Sequence, residues 1–224
     1  MSRHLVVRYL ERTPYREGLA LQKDLAEKRK QGLIEDTLLL LEHDPVITLG
    51  RNTGQASLLA SPVLLESRGV DLVESDRGGD ATFHGPGQVV GYPIIDLRPD
   101  RKDIRRYVRS IEAVMIGTLA HFGVQAEGRV DTPGVWLSDP DRKIGAIGAR
   151  VSRWVTHHGF ALNVNTDLSF FDLIIPCGIR DKGVTSMARE LGRTVSISDV
   201  MAVVVHEFAA EFDRTIDSLK ERVS

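Results

Sequence analysis

A single thiol, Cys177, stands between Pro176 and Gly178, at the start of a polar loop that follows the apolar run Leu173 to Ile175. A lone cysteine is more often a small buried hydrophobe than a nucleophile. Here proline and glycine on either side favour a sharp turn that exposes the side chain and bares backbone N–H groups able to bind a developing oxyanion. Arg180 and Lys182 follow closely, and neighbouring cations favour the thiolate. A thiol nucleophile needs a base. By residue type the candidates are His84, His157, His158 and Lys143, which opens the glycine-broken strand KIGAIG. Each also has a plain structural reading. Lys143 suits a solvated strand end, and adjacent strand residues such as His157 and His158 face opposite sides, one ring out and one packed. These residues leave the choice of base open. The seven histidines and one cysteine show no zinc-type ligand spacing, so no metal site is expected.

The elements that must position this chemistry are arranged around Arg77 to Gln88, RGGDATFHGPGQ. Gly78, Gly79, Gly85 and Gly87 with Pro86 make the stretch too polar and too glycine-rich for a helix or a core strand. Arg77, Asp80, Thr82 and His84 hang polar groups on it. Strand-like runs flank it, Val70 to Ser75 and Val89 to Leu97, and a polar loop between buried strands is where sites tend to be built. Leu5 to Leu10 reads as a strand. Thr13-Pro14 then starts a helix that runs to about Gln31 and ends at Gly32. Thr37 to Leu41 and Val46 to Leu49 read as a hairpin turning at His43-Asp44-Pro45. A short helix is expected from Pro62 to Arg68. Ile104, Tyr107, Val108, Ile111, Met115 and Leu119 recur at helical spacing. Gly134 to Leu137, Lys143 to Ser152 and Trp154 to Val164 read as successive strands. A C-terminal helix starts near Ser198. The whole chain, residues 1–224, reads as one α+β domain with strands in a sheet and helices bracketing it.

Composition bounds the function. The 224 residues are 42% apolar and 27% charged, ordinary for a soluble globular protein. A formal net charge of −2 gives no bulk basic character for nucleic acid. One cysteine excludes an intrachain disulfide and fits a reducing, cytoplasmic compartment. The N-terminal MSRHLVVRYLERTPYREG is charged throughout and does not read as a signal peptide. Apolar runs such as Met201 to Val205 are far too short to span a bilayer.

Taken together, RGGDATFHGPGQ, KIGAIGARV, HHGFALNVN and PCGI…GVTS, in this order, resemble the lipoyl(octanoyl) transferase family, octanoyl-[acyl carrier protein]:protein N-octanoyltransferases. The resemblance covers roughly Leu38 to Met187. It implies the biotin/lipoyl protein ligase-like fold, a mixed, mainly antiparallel sheet flanked by helices. It implies transfer of octanoyl from the phosphopantetheine of acyl carrier protein, through a thioester on the enzyme, to one lysine of lipoyl domains. The acceptors implied are lipoyl domains of 2-oxoacid dehydrogenase complexes and the glycine cleavage H protein. No bound cofactor is implied, and a monomer is expected. Residue by residue, Cys177 matches the acyl-thioester nucleophile and Lys143 its acid/base partner. Three segments match the lining of the acyl pocket: Arg77, Gly78, Gly79, Asp80, Ala81, Thr82, Phe83 and His84; Ala146, Ile147 and Gly148; and Gly159, Phe160 and Ala161.

Under that resemblance the chemistry is two acyl transfers. The thiolate takes octanoyl from a thioester, which needs mainly positioning and charge stabilisation. The acceptor lysine then needs its proton removed, since a free lysine titrates near ~10.4. Acylation of Cys177 removes the negative charge beside Lys143, which makes that lysine the better base for the second step. Gly145, Gly148 and Gly159 leave a channel open, which Ile147, Phe160 and Ala161 can line. Arg142, Arg150, Arg153, Arg180 and Lys182 are expected to form a basic rim for the acidic carrier protein. The rival readings are an ATP-dependent lipoate or biotin protein ligase of the same fold, transfer between two lipoyl domains, and a non-catalytic acyl-binding module.

Overall fold

The structure is a computed structural model. It describes residues 3–54, 57–98, 102–175 and 183–223, the last seven of these as backbone alone. Cys177, Arg180 and Lys182 lie outside the described residues. In chain order the elements are β1 (Arg3–Leu10), α1 (Tyr15–Lys30), β2 (Asp36–Leu41), β3 (Val46–Leu49), α2 (Pro62–Ser67), β4 (Asp71–Glu74), β5 (Thr82–His84) and β6 (Gln88–Ile94). Then come α3 (Ile104–His121), β7 (Glu127–Gly128), β8 (Val135–Leu137), β9 (Arg142–Ile147), β10 (Arg150–Ser152), β11 (Val155–His157) and β12 (Phe160–Asn163). A 3-10 turn at Leu168–Leu173, β13 (Gly183–Val184), α4 (Met187–Leu191), α5 (Ile197–Glu211) and β14 (Arg214–Val223) complete the chain.

The main sheet runs β14-β1-β2-β6-β12-β9-β8-β7, with β13 paired to β9. It is mixed and mainly antiparallel: β1 runs parallel to β2 and β14, and β13 parallel to β9, while β2, β6, β12, β9, β8 and β7 pair in antiparallel succession. The run DTLLLL makes β2 apolar on both faces, as a central strand must be. Leu38 and Leu40 enter the core beneath α3 and α5. Leu39 and Leu41 enter the one beneath α1 with Leu25 and Ala26. That alternation is the period of two of an extended chain.

A second, three-stranded sheet, β4-β3-β5, carries the polar glycine-rich stretch across its end. The expected hairpin between the second and third strands does not form. Strand β2 pairs with β1 and β6, whereas β3 pairs with β4 and β5. The reason is His43, which is buried between the two sheets and not part of a solvated turn. Its Nδ1 lies 2.6 Å from the Thr13 carbonyl and its Nε2 lies 2.6 Å from the Tyr92 hydroxyl. The glycine-rich stretch is also not wholly loop, because Thr82–His84 is strand β5 with Phe83 buried. Phe83 stacks on Phe170 at 4.6 Å.

The two long strand runs each fold into two. β9 passes to β10 at Gly148-Ala149, and β11 passes to β12 at His158-Gly159. His158 sits at φ 54. A Cβ on Gly159 would lie 2.1 Å from the Gly91 carbonyl oxygen, so the chains approach as only glycine allows. The last helix begins about two residues earlier than expected. Ser196, not Ser198, caps α5 by accepting the Asp199 N–H at 3.3 Å.

Candidate active site

A cavity of about 500 Å³ opens between the Arg77–His84 stretch and strands β9 and β12. Thirteen of the fourteen residues expected to line an acyl pocket do lie on it: Arg77 to Thr82, His84, Ala146 to Gly148, and Gly159 to Ala161. Phe83 is the exception. The period of two turns its ring to the other face of β5, into the cluster with Ile47 and Phe171. Not all of the glycines keep space free. A Cβ at Gly145 would meet Met115 Sδ at 2.8 Å, on the α3 side of the sheet. Gly148 does border the cavity, where a Cβ would meet Arg77 Cδ at 3.0 Å.

Arg77 holds the stretch in place. Its buried guanidinium donates from Nε to Thr48 Oγ1 at 3.0 Å and from its two terminal nitrogens to the carbonyls of Thr48 at 2.7 Å and Gly78 at 2.9 Å. It therefore works as a clamp between β3 and the cavity wall.

Lys143 lies on the cavity, beside buried Ile144, where the pairing of β9 with β8 shifts register. Its Nζ donates to the Pro133 carbonyl at 3.1 Å and sits 5.1 Å from the centre of the Trp136 ring. Its own carbonyl accepts the Thr185 N–H at 2.9 Å. In the register of β9 and β13, Val184 stands beside Lys143 and Gly183 beside Arg142. Upstream, the Ile175 N–H donates to the Ser57 carbonyl at 2.8 Å. The segment that contains Cys177 thus leaves the described chain at Ile175 and re-enters it next to Lys143.

The histidine candidates take other parts. His84 is buried, and burial first, then His43, pushes its pKa down to about 3. Gln88 donates its amide hydrogens to the Phe83 carbonyl and Asn163 Oδ1, so its Oε1 accepts from His84 Nδ1 at 2.7 Å. The neutral ring therefore keeps its lone pair on Nε2. His158 Nε2 lies 2.8 Å from Asp76 Oδ1, and burial lowers its pKa. His157 is pushed down to about 4 by burial and then by His158. The expectation of one exposed and one packed ring gives way: both are buried, because His158 adopts the left-handed region and ends the alternation.

Asp76, His157 and His158 bring ligand atoms within 4.8 Å of one another, the one such group among the described residues. Arg150 contacts the Asp76 carboxylate, and Lys23 also acts on it. Those cations oppose a metal ion there. Sequence reasoning passed over Asp76, Tyr15, Tyr92 and Pro133, all of which line the cavity. The signal for Tyr92 was present, since it is the polar-tipped residue in the otherwise apolar run VVGYPII.

The basic rim is not built as expected from its described members. Arg142 meets Glu190 at 3.1 Å, Arg150 meets Asp76, and Arg153 meets Glu27 at 3.0 Å. Each charge is answered by an acid.

A mixed sheet with this strand order, flanked by helices and holding an acyl-sized cavity against a glycine-rich stretch, defines a biotin/lipoyl protein ligase-like fold. A bi-partite lipoate protein ligase from Thermoplasma acidophilum superposes with a TM-score of 0.75 at 18% identity, over 100% of this chain and 88% of that one. That likeness shows the fold. The lipoyl protein ligase A/B catalytic domain model matches residues 14–209, and the chain belongs to that family. It is 50% identical over 213 residues to an octanoyltransferase of Myxococcus xanthus, covering 93% of this chain and 60% of that protein's length. It is 51% identical over 205 residues to an octanoyltransferase of Koribacter versatilis, covering 90% of this chain and 82% of the other. With such relatives the chain is an enzyme of the acyltransferase class. No helix among the described residues is long and apolar enough to cross a membrane.

Proposed function

We propose that the enzyme moves an octanoyl group from the phosphopantetheine thioester of acyl carrier protein to a lysine of a lipoyl domain, with Cys177 carrying the chain in between. The observation that supports this best is the register of β9 and β13. It places Lys143 beside Val184, where the Cys177 segment returns to the sheet and the cavity opens.

In the first half, the Cys177 thiolate attacks the thioester carbonyl, and the phosphopantetheine sulfur leaves and takes a proton. Lys143 supplies that proton. In the second half, the acceptor amine attacks the acyl-Cys177 carbonyl, Lys143 takes the amine proton, and an amide forms as the Cys177 sulfur leaves. The cavity wall of Ala146, Ile147, Phe160 and Ala161 holds the chain. Burying it contributes ~0.8 kcal/mol per methylene. His84 is neutral in this scheme and offers a fixed lone pair at the wall, not the base.

The test is a pair of measurements on one preparation. Protein incubated with octanoyl-acyl carrier protein should gain a thioester-sized mass on Cys177, and a lipoyl domain should remove it. Lys143→Ala should slow both halves by about 100-fold, the low end of what general acid–base catalysis supplies. Product from octanoate and ATP without carrier protein would favour a ligase. A Lys143→Ala enzyme at full rate alongside an inactive His84→Ala enzyme would replace the lysine by the histidine.

A further inference from the structure

Strand β9 presents Lys143, but a lysine side chain has four rotatable bonds, and a strand does not fix where its ammonium sits. Three features around Gly134 do. The Lys143 ammonium donates to the Pro133 carbonyl. The next residue, Gly134, has φ 128, and a Cβ there would lie 2.6 Å from Lys143 Cε and 2.7 Å from the Gly145 carbonyl oxygen. Its N–H donates at 2.9 Å to Oε1 of Glu112, an acid buried in the middle of α3. On its other side the Glu112 carboxylate packs over Gly128, where a Cβ would meet Oε2 at 2.9 Å.

A glutamate in the buried stripe of a helix is costly unless its oxygens accept hydrogen bonds. This one accepts from the residue whose conformation and missing side chain make room for the Lys143 stem. The Trp136 ring adds a second hold. Its Nε1 donates to the Thr132 carbonyl at 3.0 Å, which ties the same turn to the ring the ammonium faces.

We propose that Glu112 is a positioning residue for Lys143. It anchors the Gly134 peptide, so that the Pro133 carbonyl meets the ammonium and the lysine stem is confined against a position without a Cβ. Glu112 acts as a hydrogen-bond acceptor here, and the interaction does not require its charge. This inference rests on the reading of Lys143 as acid/base.

The test compares Glu112→Gln, Glu112→Ala, Gly134→Ala and Lys143→Ala in steady-state octanoyl transfer from octanoyl-acyl carrier protein, with rates normalised to the folded fraction. Glu112→Ala and Gly134→Ala should lower kcat by about tenfold to 100-fold while KM for the carrier protein stays within about twofold, the signature of a misplaced catalytic group. Glu112→Gln keeps an acceptor oxygen and should recover kcat to within about threefold of the unsubstituted enzyme. A merely structural glutamate would lower the melting temperature of Glu112→Ala and leave the normalised kcat unchanged, which overturns the proposal. Glu112→Gln as impaired as Glu112→Ala also overturns it. If Glu112→Ala does not fold, Gly134→Ala carries the test, and full kcat there refutes the confinement. Lys143→Ala at full rate sinks the lysine reading beneath the inference. Lys143→Ala inactive with Glu112→Ala at full rate sinks the inference alone.

Discussion

Acid should weaken this protein well before its carboxylates protonate. His43 and His84 are both buried and held neutral, with pKa values pushed down to about 4 and about 3 from an ordinary 6.5. The unfolded chain takes up a proton at each near pH 6.5, and the folded chain does not until pH 4 or below. Their stabilising effect is therefore whole above pH 6.5 and is lost as pH falls from there towards the folded values. At about 1.4 kcal/mol per pH unit per group, moving from pH 7 to pH 5 removes roughly 2 kcal/mol for each ring, or about 4 kcal/mol together. A domain of ordinary stability has only about 5–15 kcal/mol in all. His157, also lowered, acts in the same direction. The assay is urea unfolding followed by tryptophan fluorescence at half-unit steps from pH 7 to pH 5. The midpoint should fall steeply while the slope of free energy against urea stays constant. His43→Asn should be less stable at pH 7 but visibly flatter with pH. A loss under about 1 kcal/mol across that range, or an equal slope in His43→Asn, would refute the claim that buried neutral imidazoles set the acid limit.

Two other substitutions probe the cavity. In the pairing of β6 with β12, Gly91 stands opposite Phe160, and a Cβ at Gly91 would lie 2.2 Å from that ring. Gly91→Ala should push Phe160 into the cavity and, if the cavity holds the acyl chain as proposed, shift donor preference from octanoyl towards shorter chains, by about tenfold in kcat/KM per ~1.4 kcal/mol of crowding, read by competition between octanoyl and hexanoyl carrier protein. An unchanged ratio would mean the ring moves elsewhere. Arg77→Met removes three charge-assisted hydrogen bonds onto Thr48 and Gly78. It should cost about 3–5 kcal/mol, seen by calorimetry as a melting point lower by roughly 10 °C. A change within a degree or two would show that the clamp is dispensable.

Local patterns made much of the fold legible. The apolar run of β2 and the helical spacing of α3 could be read because each depends on neighbours within a few residues, whereas the breaks that divide Lys143 to Ser152 and Trp154 to Val164 into two strands each were not. The hairpin between β2 and β3 could not, because nothing local says that His43 will be buried between two sheets. The same limit applies at β14, whose place beside β1 is set by an edge left open across the whole chain.

By itself the sequence determined the residue types of the site, the glycine-rich stretch and Cys177 as the one thiol, since chemistry is written in side chains and their immediate company, while the choice of Lys143 as its partner came from the family resemblance. Only the tertiary structure decided which residues share the cavity. It turned Phe83 away, brought in Tyr15, Tyr92 and Asp76, neutralised His84 by burial, and set Glu112 behind the turn that meets Lys143. Those outcomes depend on strand register and burial, which arise when distant segments pack together.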